Sequence, residues 1–195
     1  MLTKIVLVIC VAADTAASTK VKVGPAEVPN SWLLGTTTLM LNGAGIREYG
    51  VFRIAVYAAA LYLPARETRA GIILQSISPR VVHMRMLRDV SQEDSARGWD
   101  HYLSANCVMP CQLAPNLRRQ FLAIVPATAT GDTQTFVFRD GSVEIFRNGA
   151  RMGAVDDRTM ATTVLAGWIG AVPTTEALKR ALLGLTEPAG TELSR

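Results

Sequence analysis

Few side chains in this sequence are equipped for proton or metal chemistry. The only histidines are His83 and His101, and the cysteines are Cys10, Cys107 and Cys111. A hydrolytic triad needs an imidazole held beside its nucleophile, yet neither histidine stands in such a setting and no Gly-x-Ser-x-Gly elbow occurs. A closed zinc site needs four ligands at short spacings, and no such cluster is visible, so no metal is expected. Gly43-Ala44-Gly45 holds a Gly-x-Gly without the third glycine or the downstream acid of a dinucleotide loop. Asn42–Gly45 therefore reads as a tight turn, and no cofactor is expected. The carboxylate pairs Glu93/Asp94 and Asp156/Asp157 stand at expected helix starts, where the helix dipole accounts for them.

The elements that position these residues alternate in blocks. Residues 20–29 read as irregular, punctuated by Pro25 and Pro29, and Ser31 to Leu41 as a strand. A long apolar run from Val51 to Leu63, closed by Pro64, predicts a second strand. Glu67–Ser76 predicts a short helix, and Arg80–Arg88 a strand with Val82, Met84 and Met86 on one face. Ser91, with Asp94 three residues on, is a helix-start signature for a helix reaching Asn106. A further helix covers 116–125. Asp140-Gly141 and Asn148-Gly149 mark hairpins between apolar runs. Two last helices span about 157–169 and 174–184, and the tail beyond Leu185 is polar. Strands and helices in blocks, with hairpins between strands, predict an α+β fold: an antiparallel sheet with helices laid on one side.

With 195 residues, 49% of them hydrophobic and 18% charged, the chain has the apolar surface for one full core and excludes a disordered linker. No stretch approaches the ~18 consecutive apolar residues of a membrane span. The formal charge is +4. The basic residues are scattered in ones and twos, as at Arg118-Arg119, Lys179-Arg180 and Arg147/Arg151, which describes a mixed surface and not a nucleic-acid patch.

Lys4 followed by the apolar run Ile5–Ala13, then Ala16-Ala17-Ser18, has the form of a secretory signal peptide over residues 1–18, the alternative being a buried N-terminal strand. Residues 19–195 then form a single exported domain, periplasmic or secreted. In that compartment Cys107 and Cys111, four apart, read as a local disulfide after a helix.

Leu41–Arg47 and Val56–Pro64 together resemble the opening strands of the chalcone isomerase fold, where a Gly-Ala-Gly-x-Arg segment precedes a strand ending in Tyr-Leu. Met86–Val90 before the Ser91 helix, Ala105-Asn106-Cys107 at its end, Gly167–Gly170 and Thr175–Gly184 agree in order. The chain is most similar to exported bacterial chalcone-isomerase-like proteins. The resemblance implies an open-faced β-sandwich: an antiparallel sheet under a layer of helices, with an apolar cleft between them.

In the plant enzymes of that family an arginine, a tyrosine, an asparagine and nearby hydroxyls assist ring closure of chalcones, whereas non-catalytic relatives bind fatty acids through the arginine. By position Arg47 matches the arginine and Asn106 the asparagine; Trp99 stands at the tyrosine, Tyr57 at the strand threonine and Gly167 at the late hydroxyl. Trp99 offers only an N–H donor and does not replace the phenol. Spacing leaves open whether Tyr57 or Tyr102 points into the cleft. The expectation is a monomeric, non-catalytic protein that binds a fatty acid or similar apolar carboxylate through Arg47, Tyr57, Trp99 and Asn106. An intramolecular lyase or isomerase, or an envelope interaction module, is the alternative.

Overall fold

The computed structural model describes residues 19–107 and 113–186. Strands β1 (Lys20–Val23) and β2 (Ala26–Pro29) form a small hairpin of their own. Next come β3 (Ser31–Leu34), β4 (Thr37–Tyr49), β5 (Ile54–Leu63), α1 (Ala70–Gln75), β6 (Arg80–Met86), α2 (Gln92–Asn106) and α3 (Pro115–Ile124). The chain continues through β7 (Thr133–Arg139), β8 (Ser142–Arg147), β9 (Ala150–Asp156), α4 (Arg158–Ile169) and α5 (Glu176–Leu182). Strands β3 to β9 pair antiparallel in chain order, making one curled, seven-stranded sheet. The α+β architecture, with a sheet under a helical layer, is the one the sequence implies.

Local chemistry explains most boundaries. Ser91 Oγ accepts from the Asp94 amide at 3.1 Å and opens α2; Asp157 caps α4 through the Met160 amide at 2.7 Å. Asp140-Gly141 and Asn148-Gly149 all have positive φ, the paired left-handed geometry that a two-residue hairpin requires. Alternation along β6 turns Val82, Met84 and Met86 to the helices, where they join Phe136, Phe138 and the almost wholly buried α4 in the main core.

Three expectations are corrected. Ser31 to Leu41 is not one strand but β3 and the start of β4, which pair antiparallel about a turn at Gly35 (φ 61°). Residues 20–29 are a hairpin, turned by Gly24 (φ 57°), whose Val23, Ala26 and Val28 cover Ala58, Ala60 and Tyr62 on the sheet's other face. Tyr62 Oη donates to the Pro29 carbonyl at 2.8 Å and ties it down. Prolines at a turn and at a strand end are compatible with edge strands, which is why they concealed this one.

Asn42–Gly45 is likewise not a turn but the middle of β4. Asn42 is the extra residue of a β-bulge, its Nδ2 donating to the carbonyls of Glu67 (3.0 Å) and Leu182 (2.8 Å) while its Oδ1 accepts from the Glu67 amide (2.9 Å). The glycines serve packing: a Cβ on Gly43 would collide with the Ala181 carbonyl oxygen, and one on Gly45 would lie 2.6 Å from Ala181 Cβ. Gly43→Ala is expected to destabilise by ~1–3 kcal/mol or more through overpacking. Gly71→Ala in α1, where nothing lies within 4 Å, is expected to be neutral or stabilising. Urea midpoints of the two variants test the contrast.

His83 sits on the hairpin-covered face of β6, its Nδ1 paired with Thr135 Oγ1 at 2.9 Å and its ring 4.8 Å from that of Trp32. Burial, reinforced by Arg85, lowers its pKa from 6.5 to about 4. As pH falls below 6.5 the unfolded imidazole takes a proton that the folded one refuses until about 4, so stability is lost across that window. The loss is at most about 3 kcal/mol. Glu67 and Asp132, held at about 2, lose their contributions only at lower pH, from the ordinary carboxylate range downward. His83→Gln should flatten the urea midpoint between pH 6.5 and about 4 relative to the parent.

Candidate functional site

A cavity of about 110 Å³ opens between the sheet and helices α2 and α4. Arg47, Tyr57 and Gln134 enter it from the sheet, Trp99 and Tyr102 from α2, and Trp168 from α4. Arg47, Tyr57 and Met86 stand side by side in register across β4, β5 and β6. A second bulge, where Arg47 pairs with Tyr57 and Glu48 with Ala55, leaves Val56 as the extra residue of β5. Consecutive residues Val56 and Tyr57 thereby both reach the helix-side core, which uninterrupted alternation would forbid.

Arg47 is half-buried, and its guanidinium carbon lies 5.6 Å from the Tyr49 ring centroid and 5.8 Å from that of Tyr57. Among the described residues no carboxylate pairs with it. Glu48, its neighbour in sequence, is engaged by Arg53 Nε at 2.6 Å. A guanidinium held against aromatic faces keeps its in-plane N–H groups for an external acceptor, for which a carboxylate is the matching fork.

Tyr57 is buried, and its hydroxyl accepts from Trp168 Nε1 at 3.1 Å. Burial pushes its phenol above the ordinary value, more than the Arg47 charge pulls it down. The group is therefore protonated at neutral pH, and with Trp168 occupying an acceptor position its own O–H is a donor. The Thr174 hydroxyl sits beside it, but the geometry falls short of a hydrogen bond and leaves its buried Oγ1 without a partner.

Trp99 is half-buried within an aromatic cluster, its ring 5.3 Å from Phe121, 5.4 Å from Phe136 and 4.9 Å from Trp168. A Cβ on Gly167 would come within 3.2 Å of Trp99 Cζ3. The two departures from the plant pattern are thus one packing solution: glycine on α4 admits the larger ring on α2.

Asn106 departs from its expected role. Its Nδ2 donates to the carbonyls of Tyr102 (3.1 Å) and Val172 (2.7 Å), and its Oδ1 accepts from the Val172 amide (3.1 Å). It clips the end of α2 to the segment after α4 and lines a different hollow from the one that holds Arg47. Cys107 caps the same helix, and Cys111 lies outside the described residues, as does the leader over 1–18.

Gln134 and Thr174 were not anticipated. Gln134 had a legible signal, a polar residue in phase with Phe136 and Phe138 on the buried face of β7; Thr174 had none. Among the described residues no group of three His, Cys, Asp or Glu could hold a metal, and no helix is long and apolar enough to cross a membrane.

Fold and site together define an α+β domain that encloses a small apolar cavity with one unpaired guanidinium at its edge. Residues 20–184 match the chalcone isomerase-like family, and the chain belongs to that family. Among solved structures it is similar to a fatty-acid binding protein of Arabidopsis thaliana, with a TM-score of 0.70 over 85% of this chain and 96% of that one. The two are 14% identical, so the likeness is one of fold. No curated protein matches.

Removing the Tyr57 hydroxyl leaves the buried Trp168 N–H unpaired. Tyr57→Phe is accordingly expected to cost about 1–3 kcal/mol of stability. Urea titration read by tryptophan fluorescence measures the loss.

Proposed function

We propose that this protein binds an apolar carboxylate of the fatty-acid kind without transforming it, the carboxylate resting on Arg47 and the Tyr57 O–H. One observation carries the reading: a half-buried guanidinium with no acidic partner among the described residues, at the edge of a mostly apolar cavity whose one acid, Asp94, is engaged by Ser91 and Arg97. An arginine so placed is costly unless an anion completes it. The similar Arabidopsis fold is that of a fatty-acid binding protein, which agrees in ligand class.

Size constrains the occupant. A cavity of about 150 Å³ holds a benzene-sized molecule, and drug-sized pockets begin near 300 Å³. About 110 Å³ accommodates a carboxylate head and a short apolar body. A longer tail has to leave through the open mouth or displace Trp99. The reading includes action outside the cytoplasm, as a periplasmic or secreted monomer, in keeping with the leader expected over 1–18 and the disulfide expected between Cys107 and Cys111.

A second reading rests on Tyr57. Its phenol lies in the cavity beside Arg47, so that the two donors also suit a developing enolate or phenolate, as an intramolecular lyase would need. Turnover in a panel of chalcones and enones, lost in Arg47→Ala, would favour it over simple binding.

Native mass spectrometry of the mature chain, with extraction of co-purifying lipid, tests the first reading. The parent is expected to carry a carboxylate ligand, and Arg47→Ala to bind it about 10- to 100-fold more weakly, the range for a charged hydrogen-bonded pair. A parent cavity that is empty and shows no measurable affinity for fatty acids would falsify it.

A further inference from the structure

The corner that joins β4 to β5 carries residues that a solvent-exposed turn does not call for. Gly50 to Arg53 form a four-residue turn, closed by the Arg53 amide donating to the Gly50 carbonyl at 3.1 Å, with Gly50 (φ 70°) and Arg53 (φ 50°) left-handed. Its two central residues are Val51 and Phe52, 91% and 86% exposed. Central turn positions ordinarily take Pro, Gly, Asn, Asp or Ser, whose backbones and side chains suit a bend in water. The apolar run counted from Val51 therefore begins in the corner, and the strand itself starts at Ile54. Neither Val51 nor Phe52 joins either core cluster, so the fold gains nothing from their apolar side chains. Tyr49 and Ile54, register partners at the foot of the turn, are exposed beside them. Single apolar side chains on a surface are ordinary, but a contiguous patch marks a place of contact.

The patch stands at the edge of the cavity. Arg47, which lines it, has its guanidinium carbon 5.6 Å from the Tyr49 ring centroid. Four residues of extended strand, about 13 Å, separate Arg47 from Val51. The acids near the corner are already engaged, Glu48 by Arg53 at 2.6 Å and Asp89 by the Thr130 amide at 2.6 Å. Arg88 is exposed, and follows Leu87, whose amide donates to the Val56 carbonyl on β5. An anionic surface approaching this corner meets no free carboxylate.

We propose that the β4–β5 corner docks the protein on a lipid bilayer, with Val51 and Phe52 entering the boundary between headgroups and acyl chains. Shape and size select this occupant. A hairpin corner is a convex point, and a fluid bilayer receives it without a matched groove. Even at about 200 Å² for each, the size of an aromatic side chain, four incompletely exposed side chains stay below the about 800 Å² per partner of a stable protein interface. A second copy meeting corner to corner is therefore not held. Docking is reversible, because even a whole myristoyl chain gives an association constant of only about 10⁴ M⁻¹. The corner also sets the Arg47 cavity beside a source of apolar carboxylates. That last point rests on the carboxylate reading above; the docking itself does not.

The test is co-sedimentation of the mature chain with vesicles of phosphatidylglycerol and phosphatidylcholine in equal parts. The parent is expected to bind, and to keep most of its binding at high salt, because insertion and not charge carries it. Val51→Ser combined with Phe52→Ser should weaken binding at least about 10-fold. Its urea midpoint should stay that of the parent, since neither side chain is packed. Ile77→Ser, an equally exposed site (73%) at the opposite end of β6, should bind as the parent does. Parent protein that does not sediment with vesicles overturns the proposal. So does binding that survives the double serine change, or binding that salt alone abolishes. A parent dimer that the double change dissociates, seen by sedimentation equilibrium, also overturns it and makes the corner a contact between copies. Vesicle binding without fatty-acid affinity removes the carboxylate reading and keeps the docking surface, whereas fatty-acid affinity without vesicle binding does the reverse.

Discussion

Helix α5 lies directly on β4 because residues 43 and 45 carry no side chains. Any Cβ at Gly43 would occupy the place of the Ala181 carbonyl, so the helix backbone and the strand backbone meet with nothing between them. Asn42, pushed out of register by the bulge, spends its amide on Leu182 and Glu67 and holds this contact closed. The same strand carries Arg47 two residues past Gly45. Where α5 presses down, the helical layer and sheet are in van der Waals contact; beyond it, at the β4–β5 end, the layers part and the cavity opens. Close packing at one end and a polar-rimmed space at the other follow from one strand that changes from glycine to arginine along its length.

Within that space, function depends on which groups are already paired. Glu48 is engaged by Arg53, Asp94 by Ser91 and Arg97, and Asp132 by Arg147 and Asn148. The acids that could have neutralised the cavity donors are thus committed elsewhere. What stays available is the Arg47 guanidinium beside the Tyr57 O–H, the arrangement that favours an anion over a cation or a neutral amine. Trp99 and Trp168, backed by Phe136, supply the cavity's aromatic surface. Each polar contact in the cavity is correspondingly stronger than on an exposed surface.

Much of this order was legible in the residues. The Ser91 cap, the two Asx-Gly hairpins and the alternation of Val82, Met84 and Met86 each have a local cause, and each appears where that cause puts it. The arginine of the site was also legible, through its segment. Three features were not. The β1–β2 hairpin was hidden by prolines that suit edge strands as well as loops. Glycines at 43 and 45 looked like turn residues, because the sequence does not say that a helix 140 residues later needs their space. Asn106 matched a ligand-binding position by alignment of motifs, yet its amide is consumed by Tyr102 and Val172.

The division has a physical reason. Periodicity, capping and turn chemistry act over a few residues, so composition and spacing were enough to determine the α+β class and, from β5 onward, the kind and order of the elements. Whether a polar side chain is satisfied depends on partners far away along the chain. Tyr57 meets Trp168 across 111 positions and Asn106 meets Val172 across 66. Only the tertiary structure could decide that Asn106 is closed, that Arg47 is open, and that a strand bulge brings Val56 and Tyr57 to the same side. A donor becomes a binding group when the fold buries it and leaves it unpaired, and no local pattern records that.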